Sequence, residues 1–168
     1  MKIDVIVGGL YGDEGKGKIV SNLGTNYDYI FRVNASTNAS HTVKLDSGEM
    51  FVTKQLPSVF KNNKIKFVVG PGAIMNLSAL KEELKSRNDI KDIKNHVYIA
   101  SSISLLINPY IERNKMSSHS KKYGSTNQGT GNAIIARDGR HSVKLMDVMN
   151  VINGLINKED LASKIKES

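Results

Sequence analysis

A glycine-rich loop set between an apolar run and a helical pattern constrains this chain more than any other feature. Residues 3–7 are apolar and β-branched apart from Asp4, which suits a buried strand. Gly8, Gly9, Gly12, Gly15 and Gly17 then crowd into a stretch too glycine-rich for regular structure. Beyond it Ile19, Val20 and Leu23 return at helical spacing. A strand, a glycine loop and a helix in that order make a phosphate cradle. Glycines let backbone amides approach an anion, the helix N-terminus adds partial positive charge, and Lys16 and Lys18 supply full charge.

Residues 12–18 match the P-loop spacing G-x-x-x-x-G-K, but Ile19 stands where that loop carries Ser or Thr for magnesium. Asp13 and Glu14 inside the loop would repel a bare phosphate. They make sense where Asp13 binds a metal or takes a proton, since either role needs a negative oxygen beside the reacting centre. The plainer alternative is a βα turn with solvated charges.

This stretch closely resembles the N-terminal signature of the adenylosuccinate synthetase family, an apolar strand followed by W-G-D-E-G-K-G-K. Tyr11 replaces the tryptophan, and Gly12, Asp13, Glu14, Gly15, Lys16, Gly17 and Lys18 match without change. The resemblance implies a ligase that joins IMP to aspartate, with GTP as co-substrate held by these residues and Mg2+ as cofactor. A second block, residues 37–42, resembles the family's N-N-A-G-H-T and implies that His41 is the general acid and Asp13 the base. Asp13 would remove the proton from N1 of the hypoxanthine ring, O6 would attack the γ-phosphate, and His41 would stabilise the transfer. A carboxylate and an imidazole are groups whose pKa values can be set apart near neutral pH. Asn38 and Thr42 then contact nucleotide, and Asp13 and the backbone carbonyl of Ser40 are the implied metal ligands. The family has glycine at the Ser40 position, so a Cβ there restricts the backbone if φ must be positive. Without that context Asn38 reads as a turn residue bonding its own backbone, and His41 as a structural histidine.

A third block, residues 124–133, is similar to the family's G-T-T-G-R-G-I-G-P-A, with departures at Asn127, Gln128 and Asn132 and, just beyond, at Ile134. It implies that Ser125 and Thr126 bind the IMP phosphate and that Arg140 reaches the phosphate of a neighbouring subunit, hence a homodimer. An arginine fork suits a phosphate. The alternative is a flexible polar loop.

The remaining pattern alternates strands and helices. Strands are expected at residues 29–33, 67–69 and 97–100, and a hairpin over 42–56 turns at Ser47-Gly48. Asn76 caps a helix with Leu77, Leu80 and Leu84 on one face and Lys81, Glu82, Glu83 and Lys85 on its wet side. Helices are expected over 109–115, 133–137, 146–155 and 158–166, with an aperiodic loop from Met116 to Asn132. The fold class is α/β, a mainly parallel sheet with flanking helices and a P-loop-like glycine loop after the first strand, its ligand loops at strand ends.

At 168 residues the chain fits one domain, residues 1–168, resembling the N-terminal part of the family and covering less than half of a usual member. It has no cysteine, which excludes disulfides and thiolate metal sites, and no run of ~20 apolar residues. A cytoplasmic protein without membrane contact is expected. The net charge of +8 suits anionic partners. The lysines are dispersed with little aromatic interleaving, which argues for a solvated surface that attracts nucleotides and against a nucleic-acid partner. His96, His119 and His141 lack partners at metal-ligand spacing and read as structural or surface residues. Met116, Met146 and Met149 read as core filling.

Three functional readings follow. One is a synthetase-type ligase, shortened or split, its missing C-terminal half supplied by a separate polypeptide. Another is a non-catalytic purine-nucleotide module or sensor. The third is a basic nucleic-acid-binding protein that kept only the fold. Asp13, Lys16 and His41 together favour the first, because a pure binder needs no acid–base pair. A related phage branch acts on dGMP and typically replaces the loop aspartate, so Asp13 speaks for IMP.

Overall fold

The computed structural model describes residues 2–9, 14–33, 36, 38–45, 47–60, 64–116, 126–155 and 157–167. Helix α1 (Lys16–Gly24) opens the regular structure, followed by strands β1 (Tyr29–Arg32), β2 (His41–Lys44), β3 (Met50–Thr53), β4 (Lys66–Val69) and β5 (Ile74–Met75). Helix α2 (Leu77–Ser86) leads through a short 3-10 turn (Ile93–His96) into β6 (Val97–Ile99) and β7 (Ser104–Leu105). The chain then runs through α3 (Asn108–Met116), α4 (Thr130–Asp138), α5 (Leu145–Ile152) and α6 (Lys158–Glu167).

The architecture is α/β. Strands β1, β4 and β6 form a parallel sheet in the order β1-β4-β6, with Ile30 opposite Phe67 and Phe67 opposite Val97. Its inner face meets the core, where Phe67, Val69, Leu56, Ile65, Met75, Leu80 and Ile103 pack together, with Ile30, Val97 and Ile99 against them. Strands β2 and β3 form the expected hairpin, and β5 and β7 add a short parallel pair that the sequence pattern did not announce. A second cluster of Ile74, Leu106, Tyr110, Ala133 and Ala136 joins α3 and α4 to that pair.

The helix signals hold where a side chain caps an amide. Asn76 Oδ1 accepts from the Ala79 N–H at 3.0 Å, and Asn157 Oδ1 from the Asp160 N–H at 2.7 Å. Pro109 lies in the first turn of α3.

Four expectations are corrected. Residues 3–7 form no strand among the described residues, and Ile3, Val5 and Val7 are exposed. A β-branched run becomes a strand only where a neighbouring strand accepts its backbone bonds. Glu83 does not lie on the wet side of α2. It is buried and accepts the backbone N–H groups of Lys54, Gln55 and Leu56 at 3.1, 2.7 and 3.1 Å. Helix α4 starts three residues earlier than expected, at Thr130 behind Gly129 in left-handed conformation. Met116 is exposed, as are Leu77, Met146 and Met149 more modestly, so these are not core residues of this chain.

Candidate functional site

The first part of the site is the start of α1. Gly15 at its N-cap has φ 75° and ψ 23°, a left-handed conformation that a Cβ would strain. Gly15 has no side chain with which to cap this end, and its carbonyl accepts from the Lys18 and Ile19 amides. Lys16 Nζ pairs with Glu14 Oε2 at 2.5 Å. Gly12 and Asp13 lie outside the described residues, and Lys18 is exposed on α1.

The second part is the hairpin strand that carries His41. The imidazole packs on α1 at Gly17, where an added Cβ would come within 2.7 Å of His41 Cβ. Any larger residue at position 17 would push the histidine off the helix. His41 pairs with Thr53 across the hairpin, and Thr53 Oγ1 meets Ser58 Oγ at 2.9 Å in the interior. Burial, then the charges of Arg32 and Lys16, push the His41 imidazole below its ordinary value of 6.5. A neutral ring at physiological pH follows, able to donate one hydrogen bond and accept another. Thr42 points to the opposite, exposed face of the hairpin from His41, as the strand pleat requires.

Sequence reasoning missed Arg32. It is buried at the end of β1, and its Nη1 donates to the Leu56 carbonyl at 2.8 Å. Burial lowers its pKa, opposed by the Glu83 carboxylate. The signal was present as a single charge inside the apolar run at residues 29–33. Arg32 and Glu83 grip the same turn, residues 54–56, from two sides, and so tie the hairpin of His41 to the sheet and to α2.

The third part unites two loops far apart in sequence. Thr126 Oγ1 donates to Asn38 Oδ1 at 3.1 Å, and Ser36 Oγ lies 2.5 Å from Thr130 Oγ1 at the start of α4. The Asn38 side chain therefore bonds across to the second loop. Ser125 lies outside the described residues. Asn132 Nδ2 donates to the Tyr110 carbonyl, fixing the first turn of α4 on α3. Arg140 stands exposed past the C-terminal end of α4, with φ 63°, at the opposite end of that helix from Thr130. It does not join the cluster within this chain.

Ser40 is exposed and is not among the residues with positive φ, so its Cβ puts no strain on the backbone. A backbone carbonyl is the kind of oxygen donor that a hard cation takes. Among the described residues no three His, Asp or Glu side chains gather as a metal site, and no helix is long and apolar enough to cross a membrane. His96 Nδ1 lies 3.0 Å from the Ile65 carbonyl, a structural contact.

The segments that follow the carboxyl end of β1 thus meet the N-termini of α1 and α4. Open α/β sheets place ligand loops at this position. The family model of adenylosuccinate synthetase matches residues 5–168, and the chain belongs to that family. It is 33% identical over 152 residues to the adenylosuccinate synthetase of Chlorobaculum parvum, covering 87% of this chain and 34% of the relative. With the enzyme of Helicobacter hepaticus the identity is 34% over 152 residues, covering 88% and 35%. The chain therefore spans about a third of the length of the curated relatives it matches. Its fold is similar to that of fully ligated adenylosuccinate synthetase from Plasmodium falciparum, with TM-score 0.76 and 22% identity, covering 94% of this chain and 37% of that one. It is also similar to succinoaminodeoxyadenylate synthetase of cyanophage S-2L, a structure with dGMP and with dATP as energy donor. There the TM-score is 0.68 and the identity 22%, covering 83% and 39%.

Proposed function

We propose that this chain forms, as a single domain, the phosphoryl-transfer part of an adenylosuccinate synthetase-type ligase, in shortened or split form. GTP would phosphorylate O6 of IMP, and aspartate would then displace the phosphate. One observation carries the reading: His41 packs on the Lys16 helix at Gly17, while Ser36 and Asn38, shortly before it in the chain, bond to Thr130 and Thr126. An acid–base residue, a phosphate-binding helix end and a second helix N-terminus rimmed by hydroxyls are what transfer between two nucleotides needs.

In this reading residues 12–18 and Thr42 hold the triphosphate. Asp13 takes the N1 proton of IMP, so that the electron pair moves to O6. O6 attacks the γ-phosphorus, the bond to the β–γ bridging oxygen breaks, and GDP leaves. His41, neutral before the reaction, donates a hydrogen bond to the charge that develops. The aspartate amine then attacks C6, and phosphate departs with the O6 oxygen. Asn38, Ser125 and Thr126 hold IMP, and Arg140 reaches the IMP phosphate of a neighbouring subunit in a homodimer. The donor set fits magnesium: the Asp13 carboxylate and the Ser40 carbonyl would hold the ion, which neutralises phosphate charge when bound. A cytoplasmic setting accords with these substrates.

The second reading is a nucleotide-binding module or sensor without turnover. Calorimetry with GTP and ATP, with and without magnesium, tests what both readings share. Binding should appear in the presence of magnesium, and its absence at millimolar nucleotide would sink both. Asp13→Asn and His41→Asn should leave binding largely intact and slow transfer by about 10²–10⁴-fold wherever transfer occurs. Normal turnover in either variant would show the acid–base assignment to be wrong.

A further inference from the structure

The segment between β1 and β2 carries Asn38 and Ser40 and leads into His41, yet none of its described residues pairs with a strand. No sheet ladder fixes where these groups stand, so contacts outside the sheet must do it. Helix α4 supplies them. Its start is a fixed post: Gly129 lies so close to α3 that an added Cβ would stand 2.7 Å from the Tyr110 carbonyl carbon and from the Ile111 nitrogen. Ala133 and Ala136 are buried in one cluster with Tyr110. Near the other end of α4, Arg137 Nη1 donates to the Gly72 carbonyl at 2.8 Å. Gly72 in turn abuts the start of the segment, where an added Cβ would stand 2.7 Å from the Val33 carbonyl oxygen. Thr130, 8% exposed at the start of α4, sets its Oγ1 2.5 Å from Ser36 Oγ. Ser36 organises the loop that follows: its carbonyl accepts from the Ala39 amide at 3.2 Å, and its Oγ from the Asn38 amide at 3.4 Å.

We propose that the Ser36–Thr130 hydroxyl pair is the positioning contact of the purine monophosphate site, setting the loop of Asn38 against the start of α4. The proposal rests on the ligase reading above and deepens it by naming two residues that act through Asn38 rather than on the nucleotide. In that reading IMP straddles two loops, since Asn38 belongs to the first and Ser125 and Thr126 to the second, whereas GTP is held by residues 12–18 and Thr42. Thr126 Oγ1 donates to Asn38 Oδ1 at 3.1 Å. A nucleotide that takes both side chains exchanges that bond for its own. Ser36–Thr130 is then the side-chain bond that still joins the two loops among the described residues. It is part-buried, so water competes for it less than for the exposed contact of Thr126 with Asn38. A site built on loops is only as exact as the contacts behind it. Removing either hydroxyl frees the first loop from its post, and the loss falls on IMP.

The test is calorimetry of the full chain with IMP and, separately, with GTP and magnesium. Ser36→Ala and Thr130→Val should each weaken IMP by about five- to tenfold and leave the affinity for GTP unchanged. The double variant should lose no more than either single one, because one contact joins the two side chains. Thr130→Ser, which keeps the hydroxyl, should restore the parent affinity. Melting temperatures of all variants should stay within about 2–4 °C of the parent, whereas a merely structural role would weaken both ligands alike. IMP affinity indifferent to Ser36→Ala, additive losses in the double variant, equal losses for IMP and GTP, or no IMP binding by a parent chain that binds GTP would each overturn the proposal. A parent chain that binds no GTP would overturn the ligase reading, and the proposal with it, so the two failures are told apart.

Discussion

At the scale of single residues, Gly17 and His41 are one unit. Residue 17 must lack a Cβ because the imidazole occupies the space where it would go. Gly17→Ala should therefore cost about 1–3 kcal/mol by overpacking, or a melting temperature lower by about 2–4 °C per kcal/mol. It should also displace the His41 ring resonances in an NMR spectrum. A variant with parent stability and unmoved resonances would show that the helix and hairpin are not in tight contact. His41 also gives the fold a dependence on pH. Burial, Arg32 and Lys16 hold its folded-state pKa below the ordinary 6.5, so the unfolded chain takes up the proton first as pH falls. The stability contributed by the neutral ring is complete above about pH 6.5 and is lost as the pH drops through the lower folded value. Melts from about pH 8 down to about pH 5 should decline below 6.5, and His41→Asn should flatten that decline. An identical slope in the variant would assign the dependence to other groups.

Among the elements, the turn after β3 is the joint that matters. Glu83 on α2 receives three of its backbone amides, and Arg32 on β1 donates to its Leu56 carbonyl. Each buried donor left without a partner costs about 1–3 kcal/mol. Glu83→Ala should therefore lose roughly 3 kcal/mol or more, while Glu83→Gln, which keeps one carbonyl oxygen, should lose clearly less. Equal chemical denaturation midpoints for the two variants would contradict this account. The pattern of α2 made Glu83 look solvated because it sits beside Glu82 and Lys85 in a charged stretch. Its partners are backbone groups some 27 to 29 residues away, which no helical period can reveal.

For the whole molecule, the prediction is that the purified chain alone does not form adenylosuccinate from IMP, aspartate and GTP at an ordinary rate. Aspartate must be held within reach of C6 of the phosphorylated ring, and such positioning can supply ~7–11 kcal/mol of the barrier. The two arginines described at the site have other partners or positions: Arg32 donates to a carbonyl in the interior, and Arg140 stands beyond α4. Adding a polypeptide with the remaining two-thirds of the family should produce turnover if the chain is part of a ligase, and none if it is a sensor. A coupled assay for GDP and phosphate distinguishes the cases. Fast turnover by the chain alone would locate an aspartate site within it.

The sequence by itself determined the family, the α/β class and most of the elements. Residues 12–18 and 37–42 are local signatures, and helix caps such as Asn76 and Asn157 act on amides three residues away. Only the tertiary structure decided what lies at long range: the contact of Thr126 with Asn38, the burial of Arg32 and Glu83, and the fate of residues 3–7. A run of β-branched residues carries the propensity for a strand but not the partner that accepts its hydrogen bonds. That partner must come from elsewhere in space, so residues 3–7 form no strand and leave Ile3, Val5 and Val7 exposed although their composition is that of a strand.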